Sequence, residues 1–273
     1  MERRAGRGGA ALCSIVGLLA GFAPSAGPDG GGEFELRARW QPMAGSKYRL
    51  HEGEPALQAM RAPKVAEESR SWPAESVSKL LPPLDSRDDQ PFAVRVHAVL
   101  PFLRQLHPGA QERVTHMITH PGAFGRVLKQ DESTLDVLYR VHAGFELVKG
   151  RANLAPAQFE GRLVLDRATG AVRHFSLELP PTRPNVDLNV TMGAGTVIAD
   201  IGSVPAMGLS TAGPPPAVEP EALARARLEL QRAFYPFAEI EWLPLAQGLE
   251  RSITEERPMH LVILFGALGD ESC

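Results

Sequence analysis

FEGRLVLDRATGAVRHFSLEL, residues 159–179, reads as two strands and the turn between them. Phe159, Leu163 and Leu165 fall on one face of an extended chain, and Phe175, Leu177 and Leu179 alternate with His174, Ser176 and Glu178. Between them residues 166–170 (DRATG) carry turn chemistry. A two-residue period on both sides of a short polar turn predicts a β-hairpin. Upstream, Val137, Tyr139, Val141 and Phe145 alternate with Arg140, His142 and Glu146. Downstream, past Pro180 and Pro181, Val186, Leu188 and Val190 alternate with Asn185, Asp187 and Asn189. Near the start, residues 33–40 (EFELRARW) put Phe34, Leu36, Ala38 and Trp40 on one face and charges on the other. Strands joined by short turns favour antiparallel pairing, so a β-rich antiparallel domain is expected over 33–212. Residues 41–90, broken by six prolines, read as irregular with short helical pieces. Residues 92–96 alternate before a segment interrupted at Pro101, and 110–118 read as a short helix.

Residues 213–220 (GPPPAVEP) form a semi-rigid linker, because consecutive prolines hold an extended conformation. Past it the period changes. Residues 220–235 predict a helix with Pro220 in its first turn and Leu223, Ala226, Leu230, Ala233 and Phe234 on one face. Residues 237–242 (FAEIEW) read as a short strand with Ile240 and Trp242 inward. Residues 244–256 read as a second helix, with Leu245, Leu249 and Ile253 in one row. The apolar run at 261–265 reads as a buried strand, followed by a loop to Cys273. Two strands joined by a helix imply a parallel pair with a right-handed crossover. A cysteine just beyond such a strand is where thioredoxin-like folds place a redox thiol, at a helix N-terminus that stabilises the thiolate. The expected fold class is therefore α+β: a β-rich antiparallel-sheet domain followed, over 221–273, by an incomplete thioredoxin-like βαβ domain.

Composition narrows the function classes. The chain has 273 residues, 44% hydrophobic and 22% charged, which is an ordinary globular balance. A net charge of −3 argues against a general nucleic-acid binder. Cys13 and Cys273 are the two cysteines. Cys13 lies in a leader over residues 1–26, with Arg3, Arg4 and Arg7 ahead of an apolar run at 10–23. That run is shorter than the roughly 20 residues of a membrane span, so a secretory signal peptide, or else a short anchor, is expected.

Other motifs are weak. His116 and His120 have i, i+4 spacing, but no Glu follows His116 and Pro121 breaks the helix, so no metal site is expected. His142 and His174 sit on polar strand faces, where solvated side chains are expected. Asp85, Asp88 and Asp89 are too irregular for a calcium loop. The Gly193–Gly195 pair lacks a phosphate-loop context, and no cofactor is expected. Asn189-Val190-Thr191 is a glycosylation triplet. Cys273 is open to two readings: a redox thiol or a chemically idle cysteine.

Three stretches resemble one family. They are YRVHAGFEL with LAPAQFEGRLVL and its return to NVDLNV (139–190), AFYPFAEIEWLPLAQGLERS (233–252), and HLVILFGALGDESC (260–273). Over roughly 33–273 the chain is similar to the selenoprotein N family. In that family a strand, a Gly-Ala-Leu turn and an acidic pair lead to Ser-Cys followed by selenocysteine. The resemblance implies thiol/selenol–disulfide oxidoreductase chemistry in the secretory pathway, with Cys273 as catalytic thiol and selenocysteine expected next. It implies a disulfide-bearing protein substrate, a membrane calcium pump by analogy, and roles in redox and calcium homeostasis at the endoplasmic reticulum, with possible membrane association. It also leads to the expectation that the sequence was halted at a selenocysteine codon and that residues 1–273 are inactive alone. The alternative is an exported binding or scaffold domain without catalysis. The EF-hand of animal members has no counterpart visible in the sequence.

Overall fold

The computed structural model describes residues 32–83, 90–112, 122–193, 195–235 and 242–261. The hairpin stands where the alternation put it. Phe159–Asp166 (β10) and Val172–Glu178 (β11) pair antiparallel, with a bulge between Val164 and Leu165. Asp166 makes the turn: its Oδ1 accepts the N–H groups of Ala168 and Thr169, both at 3.0 Å. Gly170 then adopts φ 71°, a left-handed conformation that costs glycine little. Phe159, Leu163, Leu165, Phe175, Leu177 and Leu179 are all buried. At Gly161, on the same face, a Cβ would sit 2.6 Å from Leu177 Cδ2, so only glycine fits there.

The remaining strands in chain order are Glu33–Trp40 (β1), Gly45–Ser46 (β2), Ser69–Pro73 (β3), Phe92–Arg95 (β4), Ala110–Glu112 (β5), Gly122–Gln130 (β6), Thr134–Val141 (β7), Ala143–Val148 (β8) and Ala152–Pro156 (β9). Beyond the hairpin come Val186–Met192 (β12), Thr196–Ser203 (β13) and Met207–Ser210 (β14). They form two antiparallel sheets, ordered β3-β1-β14-β11-β10-β7-β6-β4 and β2-β13-β12-β9-β8-β5. Their inner faces share one core. Phe145 of the second sheet meets Phe159 of the first at 6.2 Å between ring centres, and Trp40 at 5.9 Å. Each such ring removed from water stabilises the fold by about 1.5–3 kcal/mol.

The fold is thus mixed α and β, strand-rich, with two antiparallel sheets. Several local expectations change. The 137–146 alternation is two strands, not one: the chain crosses between sheets at His142, whose N–H bonds to the Gly122 carbonyl at 2.8 Å. Residues 110–112, expected as the start of a helix, form β5 against β8. Residues 113–118 lie outside the described part. Within 41–90 the helical pieces are single turns, Leu50–Gly53 (α1) and Gln58–Arg61 (α2), with 3₁₀ turns around them. The strand β3 was hidden there because, at the sheet edge, it buries only Trp72. Leu100–Leu103 (α3) begins with Pro101 in its first turn.

Pro220–Phe234 (α4) starts at its proline as expected and buries Ala226, Leu230 and Phe234. It lies on the outer face of the first sheet, against Leu138, Phe124 and Leu128. Leu245–Thr254 (α5) also forms where the period placed it. Its apolar row is open: Leu245, Leu249 and Ile253 are 60%, 50% and 70% exposed, and Trp242, expected inward, is 40% exposed. The two strands expected around α5 fall on residues 236–241 and 262–273, outside the described part.

Candidate functional site

The outer face of the first sheet carries buried polar groups, Arg126, Asp136, Arg162 and His174 among them. Alternation puts Asp136, Leu138 and Arg140 of β7, Glu160, Arg162 and Val164 of β10, and His174 and Ser176 of β11 on this face, opposite the core row. Pairing then brings them side by side, with Arg162 opposite Leu138 and Ser176, and Val164 opposite Asp136 and His174. Arg162 donates through Nε and Nη2 to the two carboxylate oxygens of Asp136, at 2.9 and 2.6 Å. Their side chains are 10% and 5% exposed. A two-pronged, charge-assisted pair of this kind fixes both planar groups.

His174 is buried, not solvated as its polar-face position suggested. β11 lies inside the sheet, between β14 and β10, and its neighbours cover the ring. Nε2 lies 3.2 Å from Ser176 Oγ and Nδ1 lies 3.3 Å from Thr211 Oγ1. Burial lowers its pKa, and the Arg162 charge lowers it further, so the ring is neutral near pH 7. Thr211 Oγ1 also accepts the Phe175 N–H at 3.2 Å, so the ring is locked to the sheet. A serine beside a histidine with a hydroxyl, not a carboxylate, behind it is a weak nucleophile arrangement.

Polar contacts fasten α4 over this face. Arg126 Nε meets Glu229 at 2.6 Å, and Arg227 forks onto Glu160 at 2.7 and 2.6 Å. Gln158 Nε2 donates to the Tyr235 hydroxyl at 3.0 Å and its Oε1 accepts from Arg140 Nε. Burial pushes the Arg140 guanidinium down to about 10. Phe124 and Phe234 pack edge to face at 4.9 Å. Between α4, the sheet and the proline-rich 213–215 segment runs an open groove of about 910 Å³, with Ser176, Glu178, Ser210, Pro214 and Leu228 in its walls. The interior aromatic rings, in contrast, pack on one another.

A second polar knot ties the far sheet. Asp200 accepts from Ser46 Oγ at 2.6 Å and from the N–H groups of Tyr48, Leu50 and Ile201 at 2.8, 3.0 and 2.9 Å. His51 Nδ1 lies 2.9 Å from the same Ser46 hydroxyl. Burial alone would raise the Asp200 pKa, but these four donors bring it below the usual carboxylate value. With its lone pairs occupied, Asp200 clamps the 46–50 turn and is a poor proton acceptor.

Cys273, Cys13, His116, His120 and the Asp85–Asp89 cluster lie outside the described residues. His142 is buried at the sheet crossover. Gly193 and Gly195 have φ 49° and 93° and make the β12–β13 turn. Asn189 lies mid-strand in β12, half-buried opposite Asn153. Among the described residues no group of three or more His, Cys, Asp or Glu is placed to hold a metal ion, and no helix is long and apolar enough to cross a membrane. Sequence reading missed the Asp136–Arg162 pair and the Asp200 knot. Each joins residues distant in the chain, and the one available signal was charge on strands that become interior to a sheet.

No protein-family model and no solved structure matches the chain. Curated proteins do. Selenoprotein N of Homo sapiens is 32% identical over 177 residues, 50% of this chain and 30% of the human protein. The Mus musculus protein is 31% identical over 182 residues, 52% of this chain and 32% of its own length. The Danio rerio protein is 28% identical over 217 residues, 66% of this chain and 38% of its own length. The matched region thus spans about a third of each of these relatives.

Proposed function

The chain belongs to the selenoprotein N family, and on that premise we propose that it serves thiol–disulfide exchange in the secretory pathway, with Cys273 as a redox thiol. The sequence relationship carries this reading. The open apolar row of α5 supports it, since Leu245, Leu249 and Ile253 suit the buried side of a crossover helix in a thioredoxin-like βαβ unit. Against a ligand site inside the sandwich stands the filled core, where Phe145, Phe159 and Trp40 pack ring against ring.

The selenolate that the family resemblance implies beside Cys273 would attack one sulfur of a disulfide, forming a Se–S bond while the other sulfur leaves as thiolate. The Cys273 thiolate would then attack the selenium of that mixed intermediate, releasing the substrate's second thiolate and leaving a bond between the Cys273 sulfur and selenium. Two electrons pass to the substrate, and an external dithiol restores the pair. The substrate class is a disulfide-bearing protein, with a membrane calcium pump as the family-level candidate.

The test uses residues 1–273 with Cys13→Ser and an aromatic disulfide. With no dithiol present, one equivalent of aromatic thiolate should be released, with the adduct mapped to Cys273 by mass spectrometry and lost again when a dithiol reduces it. Absence of that adduct, or protein-dependent thiolate release that survives Cys273→Ser, would refute the proposal.

A further inference from the structure

The sheet edges are unequally protected. β3 carries Arg70 and Pro73, β4 has four residues and ends on Arg95, β5 has three and ends on Glu112, and β2 has two. Short length, charge and proline are the usual guards against strand addition. The first part of β13 has none. β2 pairs only with Gly202 and Ser203, and the last bond on that side runs from Lys47 N–H to the Ile201 carbonyl at 2.9 Å. Since successive residues of a strand point their N–H and C=O to opposite sides, Ala199 and Val197 share the open side with Ile201. Among the described residues their four outward backbone groups have no hydrogen-bond partner. The side chains beside them are apolar and solvent-facing, Val197 at 59% and Ile198 at 38%.

We propose that this edge is a homotypic docking site, where β13 pairs antiparallel with β13 of a second copy about a two-fold axis at Ile198. The register follows from the open groups. Val197 of one copy faces Ala199 of the other and exchanges two hydrogen bonds with it, and the symmetric pair adds two more. Ile198 then opposes its own counterpart in the narrow, non-hydrogen-bonded position, where apolar side chains approach most closely. The charges permit it: Thr196, Val197, Ile198 and Ala199 are uncharged, and Asp200, opposite Thr196, is turned inward and held by Ser46, Tyr48 and Leu50. The ladder stops at Ile201, whose carbonyl is already taken. So short a ladder falls below the roughly 1,200 Å² of a stable interface, which makes the dimer weak and concentration-dependent. The second sheet becomes continuous across the two copies. This inference does not depend on the redox reading.

Sedimentation velocity of the full chain tests it, with reductant present so that disulfides through Cys13 or Cys273 are not counted. The weight-average mass should rise from monomer towards dimer between micromolar and near-millimolar loading. Ile198→Lys, which sets like charges together on the axis, should weaken association by at least about tenfold. Ala199→Pro, which removes one outward N–H, should do the same. Circular dichroism and the urea midpoint establish that each variant is folded. A wild-type chain that stays monomeric throughout overturns the proposal, as does a dimer that both folded variants retain. A monomer whose edge instead takes up an added TVIAD peptide would also overturn it, since the site would then serve a foreign strand.

Discussion

Removing one member of the Asp136–Arg162 pair should cost far more than removing both. Two hydrogen bonds of 2.9 and 2.6 Å join side chains only 5% and 10% exposed. Asp136→Leu strands a guanidinium under the neighbouring strands, and Arg162→Leu strands a carboxylate. Either should destabilise by about 3–5 kcal/mol, the usual cost of an unpaired buried charge. The double replacement leaves two apolar side chains beside Leu138 and Val164. It should lie within about 1–2 kcal/mol of wild type, because desolvation of the pair roughly offsets its attraction. Urea denaturation of the four proteins closes the cycle. With a slope of about 2 kcal/mol per molar urea, each single variant should lose about 1.5–2.5 M from its midpoint, and the double variant under about 1 M. Single variants that each cost under about 1 kcal/mol, or a double variant that costs their sum, would show that the pair is effectively solvated and the burial argument wrong.

Two further outcomes follow from the same physics. The Asp200 carboxylate is held below its ordinary pKa, so its stabilisation is complete above the unfolded-state value near 4 and fades as pH falls through the folded value. Asp200→Asn should cost about 1.5–3 kcal/mol at pH 7 and flatten the acid limb of stability; an unchanged acid limb would remove the clamp from the account. Leu230→Ala, beneath α4, should cost about 2–4 kcal/mol, while Arg227→Ala, which breaks an exposed fork, should cost about 1 kcal/mol or less. Thermal melts that rank the two the other way would mean α4 is held by charge and not by its apolar face.

Strand and helix identity were legible where the local period was regular. The hairpin at 159–179 declares itself through two alternating runs and an Asp-Gly turn, and α4 through Pro220 and an apolar row ending at Phe234. Cys273 was read as a redox thiol from the strand–helix–strand pattern ahead of it and from the familiar stretch around it, and it lies outside the described residues. What the sequence hid was partnership. β1 pairs with β14, some 170 residues away, and that choice depends on every strand between them. The same blindness made His174 look solvated: a polar side chain on an alternating strand reads as outward, and only its neighbours decide whether outward means water. Period and turn chemistry determined β1, the hairpin, β12, α4 and α5, whereas β3 and β5 are set by the strands they pair with. Which faces meet, which charges are buried as pairs, and which edge is left open were decided by tertiary pairing, because those properties belong to residues brought together across the chain and to no single stretch of it.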